Sequence, residues 1–499
     1  MKKYVYFMTS NQHWFDIAVK LYNDKIAEPI LWMGDHNHYK LAKDKFGGDV
    51  VKDFDFFKFK SHLINKEVYN GKYNDFFKSQ HYFITKDRSL KMMDRIDDLS
   101  VMSRLDREAI FNMTVLWILS KFEKSLPDVL ISVENPHTHI HYTILQICEF
   151  LNIESVKFNS WTPLPLISLQ NAITHKPISQ IKKLEEKNIE KFSKEIEEYV
   201  DNIYGRSAIY KTSHTELERL ESKKNSWKIK QFTKFIKDIF RKYKSRNYYN
   251  ESKDYNPLNP FEFGALRKLK IIQTRKKNLI KALKIFLSKD VNLESNFIYF
   301  GLHYEPERTT LPDGGMFHDQ FLAILKLREF VPKNIKIYVK EHPSMFYDSL
   351  FGFRGRSPLF YRLLNNINNI DILGPNHKTL DLINGSIFTA TITGTLGIES
   401  AIIGKKSLIF GDSWFTGCPN TFNWTDTLRY NDLISEKLFH KTHITNFLKN
   451  KLKNESLVGL LNSRSSIRFE KYINEDFYDI QFKGIYDLLK DFFNSKNYE

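Results

Sequence analysis

Ile387–Ser400 reads IFTATITGTLGIES. A β-rich run, Ile387–Ile392, ends in Thr393-Gly394-Thr395, and an apolar helical pattern follows over 396–403. A strand that stops in a small glycine turn and restarts as a helix is one βα unit of a parallel sheet. At such a turn the free N–H groups and the positive end of the helix dipole converge where an anion would sit. Thr393 and Thr395 add hydroxyl donors, and Glu399, one turn into the helix, is placed to accept from ribose hydroxyls. The same residues also read as an ordinary βα turn with a threonine N-cap, so the turn alone leaves both readings open. The Walker A pattern is absent, because Gly404-Lys405-Lys406-Ser407 lacks the correctly spaced first glycine.

Outward from this turn the alternation continues. Strands are expected at Phe297–Leu302, Ile335–Lys340, Ile370–Leu373 and Ser407–Phe410, with helices near 316–330 and 378–384. Residues 1–175 repeat the pattern, with strands at Tyr4–Met8, Ile30–Met33, Val129–Val133 and Ser155–Phe158 and helices at 104–123 and 138–151. The expected class is therefore α/β, with two Rossmann-like domains (1–175 and 296–470) facing each other across a ligand cleft. Between them, 176–295 is Lys-rich and reads as a basic helical insertion, and 471–499 is expected to form a C-terminal helix that packs back on the first domain.

Other strand ends carry the remaining candidate chemistry. In Lys340-Glu341-His342-Pro343, the proline stops the ladder, so His342 projects from the carboxyl edge and can donate to a leaving phosphate, with Lys340 as charge compensation. The loop from Gly301 to Gly315, with His303 and Arg308, borders the cleft. In the first domain Glu134 follows the strand that begins at Val129 and is placed as a general base for an acceptor hydroxyl, with His137 beside it. His137, His139 and His141 alternate, but the helical pattern splays them, so metal ligation is not expected. Asn11 and His13, after the first strand, are the other cleft candidates. Asp53-Phe54-Asp55 matches the Asp-x-Asp pattern of single-domain, metal-dependent sugar transferases, which would leave the second domain unexplained.

The chain has 499 residues, 42% of them hydrophobic, with 41 Phe and 25 Tyr, which suits more than one large core and excludes a disordered chain. Its 75 Lys and Arg against 59 Asp and Glu give +16, which favours anionic partners; an AT-biased coding composition explains the same excess. Cys148 and Cys418 build neither a disulfide framework nor a zinc site, and no apolar run is long enough to cross a bilayer, so a cytoplasmic location is expected. In the insertion, Phe232, Phe235, Ile236, Ile239, Phe240 and Tyr243 share a helical period against a basic face. Such a stripe either packs on a core or lies on an anionic membrane. The Arg275-Lys276-Lys277 cluster has no accompanying nucleic-acid motif, so nucleic acid is not an expected partner.

In combination, Leu302 to Thr310, Lys340-Glu341-His342-Pro343, Thr393-Gly394-Thr395 with Glu399, and Glu134-Asn135-Pro136-His137 resemble the capsule polysaccharide biosynthesis family, which includes bacterial transferases of Kdo and related nonulosonic acids. The resemblance covers both β/α domains and leaves out the basic insertion. It implies a GT-B architecture, with a donor nucleotide held by the second domain and no essential metal or other cofactor. Under it, Glu134 and His342 are the catalytic pair, and Lys340, Thr393, Gly394, Thr395, Glu399, His303 and Arg308 bind the donor. Asn11, His13 and His137 face the acceptor. The implied reaction moves a sugar, foremost a CMP-activated acidic one, to a glycan or lipid-linked acceptor in surface polysaccharide synthesis, with peripheral contact to the inner membrane face in prospect. A sugar-nucleotide epimerase of the same fold and a non-enzymatic membrane assembly protein are the alternatives.

Overall fold

In the computed structural model the strands form two sheets with one and the same order. Described are residues 1–7, 12–34, 38–52, 75–95, 97, 102–161, 163–178, 184–205, 265–288, 291–306, 310–346, 352–462, 469–474 and 476–495. The first sheet contains β1 (Lys2–Phe7), β2 (Ala27–Gly34), β3 (Asp49–Lys52), β4 (Val129–Ser132), β5 (Glu154–Ser160), β6 (Leu166–Asn171) and the late strand β13 (Leu457–Val458). Its order is β3-β2-β1-β4-β5-β6-β13, parallel from β3 to β5 and antiparallel beyond. The second sheet contains β7 (Phe297–Gly301), β8 (Lys336–Lys340), β9 (Ile370–Leu373), β10 (Phe388–Thr391), β11 (Lys406–Ile409) and β12 (Thr421–Asn423). Its order is β9-β8-β7-β10-β11-β12, parallel throughout. Counted within each sheet, both run 3-2-1-4-5-6, the doubly wound order of the Rossmann fold. The order of connection therefore reverses between the parallel neighbours β1 and β4 in one sheet and β7 and β10 in the other, and a crevice opens at those two points.

The helices are α1 (Gln12–Asn23), α2 (Tyr39–Phe46), α3 (Asp75–Lys78), α4 (Gln80–Met92), α5 (Arg104–Lys124), α6 (His139–Phe150), α7 (Glu186–Tyr204) and α8 (Ala265–Phe286). They continue with α9 (Gln320–Phe330), α10 (Pro358–Asn365), α11 (Thr379–Gly385), α12 (Leu396–Ile403), α13 (Tyr430–Ser435), α14 (Lys441–Glu455) and α15 (Phe477–Ser495). Central strands such as β4, buried at every residue, read as unbroken apolar runs because helices cover both faces. On one face of the first sheet, Tyr4 and Trp14 share a core with Ile485, Leu489, Phe492 and Phe493 of α15. On the other lie Phe111, Ile118, Ile140 and Ile144 of α5 and α6. A separate core joins the two halves of the chain, packing Trp161 and Leu166 with Phe192 and Ile196 of α7, Ile398 and Ile402 of α12, and Ile444 and Leu448 of α14.

The segment 176–295 is not uniformly basic. α7 carries six acidic residues against three lysines, and its Glu197 and Asp201 pair with Lys449 and Lys441 of α14, Asp201 at 2.7 Å. Those acids balance a Lys-rich neighbour, which averaging over the whole insertion conceals. The expected helical stripe from Phe232 to Tyr243 lies outside the described residues. Among the described residues no helix is long and apolar enough to cross a membrane.

Candidate functional site

At the β7/β10 switch point the two strand ends are tied by one imidazole. His303, just past β7, takes the backbone N–H of Thr393 on Nε2 at 3.1 Å and lies 3.2 Å from Thr391 Oγ1. An Nε2 that accepts leaves the ring proton on Nδ1. Burial lowers this histidine to about 3, helped by the charges of His342 and Arg356, so the ring is neutral near pH 7. Gly394 is needed here, because a Cβ at that position would sit 2.8 Å from Thr391 Oγ1 and 3.4 Å from the His303 ring.

The helix that leaves the turn is built to receive something. No side chain caps α12, since its N-cap Thr395 makes no such bond. Thr393 Oγ1, Glu399 Oε1 and Ser400 Oγ are buried without a hydrogen-bond partner. Burial pushes the Glu399 carboxyl up to about 7, a shift that the Thr395 hydroxyl partly opposes. Buried polar atoms left unsatisfied cost free energy, and a polar ligand would remove that cost.

His342 follows β8 on the neighbouring strand end. Its Nδ1 accepts from Ser344 N–H at 3.1 Å, so the neutral ring carries its proton on Nε2, a free donor. Burial, with Lys340 and Arg356 nearby, lowers it to about 4. Lys340 Nζ donates to Thr379 Oγ1 at 2.6 Å, and burial lowers this amine to about 8. Beneath both histidines, Arg356 is paired with Glu341 at 3.1 Å and donates to His303 O at 3.0 Å. Glu341 in turn accepts from His342 N–H at 2.8 Å and from the Tyr361 hydroxyl at 2.6 Å. One buried ion pair thus holds both histidine loops in place.

From the first sheet, Asn135 and Lys157 reach across the crevice. Asn135 Nδ2 donates to Asp313 at 2.6 Å, and Lys157 Nζ donates at 2.9 Å to both Asp313 and Asn135. His175, in a left-handed turn at φ 57°, adds contacts at 4.0 Å to Asp313 and 3.7 Å to Asp412. Gly411 joins this seam to the turn, because a Cβ there would lie 2.7 Å from Asp313 O and 2.9 Å from Thr393 Cγ2. Trp161 stacks on Trp414 across the same boundary, with ring centroids 5.4 Å apart.

The structure thus brings His303, Thr393, Gly394, Thr395 and Glu399 together at one switch point, with His342 and Lys340 on the adjoining strand end. Glu134 lies at the other switch point, where Val133 N–H meets Phe7 O; its carboxylate is 3.8 Å from His137 and 3.4 Å from Asn462 Nδ2. His137 Nδ1 is bonded to Asn135 O at 2.7 Å. His13 is placed apart from these, hydrogen-bonded to Gln481 of α15 and packed on Trp14. Asn11, Arg308 and Asp53–Asp55 lie outside the described residues. Among the described residues no group of three or more His, Cys, Asp and Glu could hold a metal ion. The sequence reading passed over Lys157, Asp313 and Arg356. A lysine inside the apolar run Ser155–Phe158 was the available signal for the first.

No protein-family model and no curated protein matches the chain. Among solved structures it is similar to a beta Kdo 2,7 transferase, KpsC of Thermosulfurimonas dismutans, at 11% identity over 69% of this chain and 80% of that one, TM-score 0.27. It is also similar to the UDP-GlcNAc 2-epimerase of Methanocaldococcus jannaschii, at 10% identity over 94% and 100%, TM-score 0.21. The UDP-GlcNAc 2-epimerase of Neisseria meningitidis is similar at 13% identity over 99% of each chain, TM-score 0.20. Similarity at this level assigns neither donor nor reaction.

Proposed function

We propose that the chain is a glycosyltransferase that moves a sugar from a nucleotide donor to a glycan acceptor, with a CMP-activated acidic sugar as the foremost donor. The observation that supports it is the uncapped N-terminus of α12 at the β7/β10 switch point, flanked by neutral histidines and by buried oxygens without partners. A donor phosphate there would accept from the turn N–H groups, Thr393 Oγ1 and His342 Nε2, with Lys340 supplying charge. Glu399 Oε1 would take a ribose hydroxyl. As the acceptor oxygen attacks the anomeric carbon, its proton passes to Glu134 and the bond to the phosphate breaks. The electron pair leaves with the nucleotide, where the helix dipole and Lys340 stabilise the new charge.

One observation favours a second reading. The crevice is bridged directly by Asn135, Lys157 and Asp313, which suits a single bound nucleotide sugar with no acceptor, as in an epimerase. A thermal-shift panel of CMP, UDP, GDP and their sugars identifies the nucleotide, since binding to the native state raises apparent stability. The stabilising nucleotide sugar is then incubated with and without acceptor glycan. Nucleotide release that requires acceptor supports transfer, whereas an epimer formed without acceptor overturns it.

A further inference from the structure

Outside the site, α8 presents a basic surface. α8 carries eight Lys and Arg and no acidic residue. Lys277, Lys281 and Lys284 lie seven, eleven and fourteen residues beyond Lys270, which places all four within about 40° of one line along the helix, a row roughly 21 Å long. All four are exposed, while Leu279, Ala282 and Leu283 on the opposite face are buried against the second sheet. Beside this row Ile285 is 63% exposed. α10 packs against α8 and leaves Leu359 and Leu363, one turn apart, 58% and 40% exposed.

We infer that α8 and α10 form a docking surface for an anionic phospholipid bilayer. Two independent features meet in these packed helices: a row of cations that makes no ion pair among the described residues, and large aliphatic side chains left in water. Lipid headgroups satisfy the first and the acyl boundary the second, which is how an interfacial surface holds. A nucleic acid would use the lysines but gain nothing from Ile285, Leu359 and Leu363, because bases are held by aromatic or guanidinium planes. The inference does not depend on the transferase reading, since none of these residues belongs to the nucleotide site.

The test is sedimentation of the full chain with phosphatidylcholine vesicles, with and without phosphatidylglycerol. Binding is expected only with phosphatidylglycerol and is expected to weaken with salt. Each lysine near such a surface is worth about fivefold in partitioning. The variant Lys270→Ser, Lys277→Ser, Lys281→Ser, Lys284→Ser should therefore lose roughly 600-fold. Leu359→Ser with Ile285→Ser should lose affinity while keeping the salt dependence. All these positions are exposed, and an unchanged circular dichroism spectrum and unfolding midpoint show that the variants fold. Wild-type-like binding by the lysine variant overturns the inference, as does equal binding to both vesicle types. Retention on heparin or duplex DNA without vesicle binding overturns it in favour of a soluble polyanion.

Discussion

His303 Nε2 accepts the backbone N–H of Thr393 at 3.1 Å, so the loop after β7 sets the position of the turn after β10. This bond fixes the ring as the Nδ1–H tautomer. His303→Ala leaves that N–H without its acceptor and should cost about 1–3 kcal/mol of stability. Nucleotide binding should weaken by at least as large a factor as stability, measured by calorimetry at a temperature where the variant is folded. An affinity equal to wild type would show that the turn is held by other contacts.

Four histidines, His13 and His303 buried and His318 and His342 half-buried, give stability a definite pH dependence. Burial lowers His13 and His342 to about 4 and His303 and His318 to about 3, all below the ordinary value of 6.5. Between pH 6.5 and about 4 the unfolded chain holds protons that the folded chain does not, so stability rises with pH across that window. Their contribution is complete above 6.5 and is lost on acidification, at up to about 1.4 kcal/mol per pH unit for each group. Melting temperature should fall steeply below pH 6, and His303→Gln should shallow the slope. A flat profile from pH 7 to 4.5 would contradict the burial of these rings.

Lys157 of β5 and Asp313 of the loop after β7 come from different halves of the chain and meet at 2.9 Å with little exposure, 3% and 17% for their side chains. Removing one partner of a buried pair strands the other, which costs about 3–5 kcal/mol when burial is complete. Here Asn135 still reaches Asp313, so Lys157→Met should cost about 2 kcal/mol. The double variant Lys157→Met, Asp313→Asn should recover part of the loss. Urea unfolding of the four proteins gives the coupling, and strictly additive losses would mean that this contact does not hold the halves together.

Much of the second sheet was legible because its strands from β7 to β11 are buried along most of their length and read as largely apolar runs. That is why His303, His342 and the Thr393 turn could be picked out: in a parallel sheet the chemistry collects at strand ends. The edges were not legible. β13 is two residues long and pairs Leu457 with Ile167, a partner far away in sequence that no local pattern reveals. Asp313 was similarly obscure, sitting in a loop among other polar residues, its meaning supplied by Lys157 of β5 and by His175 of the turn after β6. The acidic helix α7 was hidden by averaging, because its charges answer Lys441 and Lys449 rather than solvent.

The two groups proposed to meet the donor phosphate should separate by pH. Burial lowers Lys340 to about 8, so its charge is present below that pH and is lost as pH rises through it. Donor affinity should therefore fall above about pH 8, by at most tenfold per pH unit. Lys340→Arg keeps its charge at every accessible pH and should abolish this alkaline limb, while Lys340→Met should bind weakly at all pH values. His342, lowered to about 4, works as a neutral Nε2–H donor and adds no limb between pH 5 and 8. His342→Ala should reduce turnover by roughly a hundredfold or more with the fold intact, the usual cost of removing a donor to developing charge. Turnover should also survive EDTA, since the proposed charge stabilisation comes from the helix N-terminus, Lys340 and His342. Undiminished turnover in His342→Ala would remove it from the reaction. Loss of turnover in EDTA would redirect attention to Asp53 and Asp55.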